Sequence, residues 1–229
     1  MFCAFLVCNA QISDNIKWDY PVKRGTEEWA SFKTSQQMLD ACQVPQKNLE
    51  MLNTKELAEI CVNYPLFFDY ALSNDERRSI SNMIERFNGL KELSVRIDGT
   101  QELMNIYKSF PILTQIQEQF SENYHSPFML PFLELLMSDK VFIKQLDERQ
   151  CVELGKMVVD RYVSKLKNPQ VYSLDNIKKT FLLGATVISQ HNITAKTPMQ
   201  QDIIDRYIEN YRNAEASLIS EISKIISEL

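Results

Sequence analysis

Histidine, cysteine and clustered carboxylates are the side chains that most often hold metals or carry acid, base and nucleophilic steps. This chain arranges few of them usefully. Its two histidines, His125 and His191, lie far apart, and neither belongs to an HExxH or CxxC-type spacing that would gather zinc ligands. Cys151 and His125 can be written as a thiol–imidazole pair, but the cysteine falls on an apolar helical stripe and no oxyanion donors accompany it. Asp202, Asp205 and Glu209 share one helix face, which reads as a solvated face because a hard cation would need further ligands from elsewhere. The five glycines (Gly25, Gly89, Gly99, Gly155 and Gly184) are too dispersed to cradle a phosphate, so P-loop, dinucleotide fingerprint and nucleophile elbow are all excluded. No catalytic residue, metal or cofactor is expected.

Rings and thiols remain. Trp18 and Tyr20 sit in a polar lead-in before Pro21, where aromatic side chains either staple the segment to the fold or offer a surface that anchors a protein or stacks on a sugar. Stapling is the reading the sequence favours, because large rings left in water gain nothing, and partner binding, with Trp18 and Tyr20 as the candidate residues, is the alternative. Trp29 and Phe32 share the first helix face, and the ring-rich run from Tyr64 to Tyr70 reads as core. Cys42 and Cys61 both fall on apolar stripes. They read as buried free thiols, with a bridge between them as the alternative in an oxidising compartment.

The compartment is suggested by residues 1–10. An uncharged apolar run from Phe2 to Val7 meets Cys8-Asn9-Ala10 and then Gln11, with small residues three and one positions before a cut between Ala10 and Gln11. This reads as the end of a secretory signal peptide; no Lys or Arg precedes the run, so the start codon is expected upstream. Cys8 as a lipid-acylation site is the weaker alternative, because Val7 stands where a small residue is expected.

Composition supports a folded, soluble type of chain. Of 229 residues, 45% are hydrophobic and 24% charged, enough to bury a sizeable core. The net charge of −5 and the scattering of basic residues into pairs such as Lys23-Arg24 and Lys178-Lys179 exclude a nucleic-acid ligand. The most apolar run, Phe181 to Ile188, is far short of the roughly 20 residues that span a bilayer. It is a core helix, with Gly184 and Ala185 permitting close helix approach.

The elements that position these residues are helices. Thr34-Ser35-Gln36-Gln37, Asn53-Thr54-Lys55-Glu56, Ser73-Asn74-Asp75-Glu76, Asp147-Glu148-Arg149-Gln150 and Thr197-Pro198-Met199-Gln200 each place a capping side chain three residues before Glu or Gln. Ser126-Pro127 has a related form. Between caps, apolar residues recur at helical spacing, which predicts burial of Leu57, Ile60, Cys61, Ile84, Leu103, Ile106, Leu183 and Ile188. The pattern predicts an extended lead-in over 11–25 and then short helices near 26–33, 35–43, 46–52, 54–63 and 65–72. Longer ones follow near 74–88, 89–96, 100–108, 111–122, 127–138, 139–146, 148–167, 173–190 and 198–228, each to within about 2–4 residues. No strand is expected.

The stretches Gly25-Thr26-Glu27-Glu28-Trp29, Phe32-Lys33-Thr34, Ala41-Cys42-Gln43-Val44-Pro45 and Cys61-Val62-Asn63-Tyr64-Pro65-Leu66-Phe67 resemble an uncharacterised family of exported proteins from Bacteroidetes, over residues 18–90. The resemblance implies a periplasmic or surface location and no activity, so it carries over no functional residue. Gln11 after the proposed cut is similar to export signals of that group.

The expected protein is all-α: one irregular multi-helix bundle over 26–229, with solenoid-like helix pairs over 34–122 as the open alternative. Its expected role is non-enzymatic binding or assembly at the cell envelope, toward a protein or glycan, without nucleic acid or a membrane span. A structural helical domain, or an enzyme assembled from scattered residues, are the competing classes.

Overall fold

The computed structural model describes residues 18–114, 126–191 and 197–229, and among them every regular element is helical. The proposed cleavage site at Ala10 and Gln11, together with Cys3, Cys8 and His125, lies outside the described residues. After the lead-in come four short helices: α1 (Glu27–Ser31), α2 (Ser35–Ala41), α3 (Gln46–Met51) and α4 (Thr54–Val62). A 3-10 segment, Phe67–Leu72, precedes α5 (Glu76–Arg86), α6 (Asn88–Leu93) and α7 (Gly99–Ser109). Then follow α8 (Met129–Met137), α9 (Lys140–Ile143), α10 (Glu148–Leu166), α11 (Leu174–His191), α12 (Pro198–Asn210), a 3-10 turn at Tyr211–Asn213, and α13 (Ala216–Ile226).

Helix starts follow the side-chain chemistry of their caps. Reciprocal capping boxes close α4 through Asn53 and Glu56, α10 through Asp147 and Gln150, and α12 through Thr197 and Gln200 with Pro198 in the first turn. Thr34 caps α2 by accepting from the Gln37 amide, while the Gln37 side chain accepts from Lys33 instead of completing the box. At α5 the cap is Asp75, which accepts from the Arg78 amide at 3.0 Å. Ser73, the expected cap, instead closes a turn onto Asp75. That frees Glu76 from capping and turns it inward. Ser126 likewise forms a turn with Phe128 and Met129 and leaves α8 to begin at Met129, with Pro131 in its first turn, where a missing N–H costs nothing.

Two predicted helices differ in kind. Residues 111–114 are irregular, so the helix expected over 111–122 does not start at Pro111, and the remainder lies outside the described residues. The single helix expected over 198–228 is broken, because Ala214 (φ −58°, ψ 126°) and Glu215 (φ −72°, ψ 162°) are extended. The break folds α13 back so that both α12 and α13 pack on α11, which a rod of about 45 Å could not achieve.

α11 is the hub. It packs against α8, α9, α10, α12 and α13, and its residues from Phe181 to Ile188 are buried on every side. A solenoid repeat touches its neighbours alone, so this arrangement is an irregular bundle. One core runs from Tyr20 to Ile226 and contains all the predicted core residues except Ile106, which is half-buried against it. A Cβ built on Gly184 would lie 2.5 Å from Ile226 Cδ1 and 3.0 Å from Val158 Cγ1, so the missing side chain is what seats α13 against α10 and α11. Among the described residues no helix is long and apolar enough to cross a membrane.

Candidate functional site

The lead-in is fixed by Tyr20. Its ring is buried beside those of Tyr64 and Phe87, and its hydroxyl donates to the Ile60 carbonyl at 2.8 Å. Burial drives the phenol pKa well up, so this hydroxyl stays a donor. Tyr64 and Phe87 themselves stack at 4.3 Å. Gly25 then turns the chain at φ +93°, which only glycine adopts cheaply, and Thr26 caps α1. Trp18 is held two residues before the anchor, half-buried, edge-on to Tyr20 at 4.9 Å. The two candidate residues thus divide: Tyr20 belongs to the core, and Trp18 stands at the rim of a groove.

That groove has a volume of about 870 Å³, within the roughly 300–1,000 Å³ usual for ligand sites. Its apolar lining includes Ile60, Tyr64, Leu52, Phe67 and Met129. One face of α4 supplies Glu56, Glu59 and Asn63 at helical spacing. The lead-in supplies Asp19, Lys23 and Arg24, of which Asp19 and Lys23 pair with each other at 2.5 Å. Arg24 lies 5.6 Å from the Phe68 ring centre. Charges in the groove therefore nearly cancel. A second, polar groove of about 680 Å³ lies between α5, the α8–α9 turn and the turn after α12.

Sequence reasoning missed the buried ions. Lys165 and Glu134 are fully buried and paired, Nζ to Oε2 at 2.7 Å. Glu134 Oε1 also accepts from Tyr107 and Thr180, each at 3.0 Å, and Lys165 donates to Thr180 at 2.8 Å and to the Asn176 carbonyl at 3.2 Å. One cluster so ties α7, α8, α10 and α11. Burial pushes the Lys165 amine below the usual lysine range, and Glu134 pulls it back. A second cluster centres on Glu76, which meets Lys179 at 3.1 Å and accepts from Tyr211 at 2.7 Å. A lone Glu within Met129-Leu130-Pro131-Phe132-Leu133-Glu134-Leu135-Leu136-Met137 was the available signal, since a charge inside an apolar run must find a buried partner.

Cys42, Cys61 and Cys151 are free and buried. Burial raises the thiol pKa of Cys42 to about 12 and of Cys151 to about 11, so neither is a thiolate nucleophile near neutrality. His191 is spent on the Ile143 carbonyl, Nε2 at 2.9 Å. Asp202 pairs with Arg206 and Asp205 accepts from Gln201, on an exposed face. Among the described residues no group of three or more metal-ligating side chains converges.

Comparison of the chain with protein-family models, curated proteins and solved structures finds no match.

Proposed function

We propose that the protein is an exported, non-enzymatic binding module of the cell envelope whose contact site is the Trp18 groove, and that the groove takes a segment of a neutral glycan. The observation that carries this reading is Trp18 itself. A buried tyrosine anchor holds an indole half-exposed at the rim of the larger groove, beside a helix face bearing a carboxylate, Glu59, and an amide, Asn63. Sugars present apolar C–H faces that stack on rings and hydroxyl edges that planar carboxylates and amides can chelate. The near-balance of charge disfavours a polyanion. Export is supported by the Cys8-Asn9-Ala10-Gln11 pattern and the Bacteroidetes resemblance.

Fluorescence tests the site, because Trp18 and Trp29 are the chain's two tryptophans. In a Trp29→Phe background, titration with neutral envelope oligosaccharides is expected to shift Trp18 emission saturably, and Trp18→Ala is expected to abolish binding measured by calorimetry while leaving the unfolding midpoint nearly unchanged. Saturable binding of peptides instead would assign the groove to a protein partner. Binding that survives Trp18→Ala would move the site elsewhere. Export is checked separately by N-terminal mass spectrometry of the native product, expected to begin at Gln11.

A further inference from the structure

We infer that α13 is an exchangeable arm: the chain forms a dimer in which α12 and α13 become one continuous helix and each α13 occupies the α10–α11 seat of a second copy. From Met199 to Leu229 there is no glycine or proline, so nothing in the local sequence demands the break. The chain leaves helical geometry at Asn210 (φ −121°, ψ 18°) and again in the extended ψ angles of Ala214 and Glu215, while Tyr211 between them is helical (φ −50°, ψ −37°). Glu215, at the start of α13, supplies no side-chain cap. In a continuous helix the first-turn amides of Ala216, Ser217 and Leu218 would gain the carbonyls of Arg212, Asn213 and Ala214.

What holds the break is tertiary. Lys178 donates to the Arg212 carbonyl at 2.7 Å, and Arg212 donates to the carbonyls of Ser73 and Asn74, all at exposed positions. Straightening Asn210 also moves Tyr211, so its buried bond to Glu76 is given up in the continuous form and counts against exchange.

The occupant of the vacated seat is fixed by shape. Gly184 is open for Ile226, Gly155 packs beside Leu229, and the α13 face carries Ile222 and Ile225 as further buried groups. A second copy supplies these same groups, so every α13 contact with α10, α11 and α12 reforms between chains. A short, helix-permissive hinge is the feature that favours exchange over folding back. Association costs translational freedom, so the balance depends on concentration, and exchange is slow because α13 must leave its seat.

Light scattering after size-exclusion chromatography tests this on the full chain, incubated at rising concentration near the unfolding midpoint and returned to native buffer. The wild type is expected to yield persistent monomer and dimer. Glu215→Ala is expected to raise the association constant about threefold, because residue 215 is extended in the monomer and helical in the dimer, alanine is the better helix former, and each dimer contains two substitutions. Glu215→Pro is expected to remain monomeric. Proline fits the observed φ of −72° and the extended residue before it, sacrifices no amide bond among the described residues, and forbids the continuous helix. A Glu215→Pro protein that dimerises like the wild type overturns the proposal. So does a Glu215→Ala protein whose association constant matches the wild type, a result that stands even if the proline variant fails to fold.

Discussion

At the scale of single residues, the buried ions decide more than the rings do. Glu134 and Lys165 each lose their hydration entirely, a cost their mutual attraction recovers only because Tyr107, Thr180 and the Asn176 carbonyl satisfy the remaining valences. Removing one partner strands the other. Glu134→Ala and Lys165→Met are each expected to lower the unfolding free energy by about 3–5 kcal/mol, while the double change Glu134→Leu/Lys165→Met should cost less than either, read from urea titrations. The thiols set a pH limit. Cys42 titrates near 9.0 when unfolded and is raised to about 12 in the fold, so its contribution is complete below pH 9 and drains away as pH rises from 9 to 12. Buried Tyr64, Tyr70, Tyr207 and Tyr211, all raised, act in the same direction at higher pH. The urea midpoint is therefore expected to fall above about pH 9, and Cys42→Ala should make that fall shallower without moving its onset, which Cys61 and Cys151 share. A midpoint that stays flat to pH 11 would contradict this. None of these pairings was legible beforehand, because periodicity marks which face is buried without saying which ions meet there.

At the scale of elements, close approach is where single atoms matter. Gly99 opens α7 with a Cβ position 2.2 Å from the Leu93 carbonyl oxygen, a backbone atom that cannot step aside. Gly184 faces only the tip of Ile226 and a Val158 methyl, and alanine there also gains helix propensity. Gly99→Ala is thus expected to cost about 2–3 kcal/mol in thermal or urea unfolding, and Gly184→Ala less than about 1 kcal/mol. Equal effects would show that the α6–α7 junction relaxes. Helix positions and most caps were readable because they depend on residues within one turn of each other, as with Asn53 and Glu56 or Asp147 and Gln150. The misreadings share one cause. Ser73 loses its capping role because Glu76, its would-be box partner, is drawn to Lys179 and Tyr211, residues more than a hundred positions away. The break at Ala214 and Glu215 has the same origin, since only packing on α11 makes a turn preferable to a longer helix. Of the candidate site, the lead-in rings were visible in the sequence; that Tyr20 anchors and Trp18 does not depends on the Ile60 carbonyl, which no spacing reveals.

At the scale of the whole molecule, the early and late helices are bound to each other by long-range bonds. Tyr211 reaches Glu76, Arg212 reaches the Ser73 carbonyl, and Tyr70 donates to the Phe128 carbonyl at 2.8 Å. The core is correspondingly continuous from Tyr20 to Ile226. Such a core should melt as one unit. The chain offers a clean way to see this, because both tryptophans sit early in the described fold, Trp18 in the lead-in and Trp29 in α1, whereas among the described residues most of the helix, and so most of the far-ultraviolet signal, belongs to α5 and the helices after it. Tryptophan emission and circular dichroism therefore report opposite ends of the sequence. Their urea curves are expected to superimpose, and Glu76→Ala, which cuts the tie between α5 and the turn after α12, should shift both curves together to lower urea. Separate midpoints in the wild type would divide the chain into an early unit and a late one. A Glu76→Ala shift seen by dichroism alone would place that division between α5 and α11, with the Tyr211 contact as a clasp between two units rather than a bond within one.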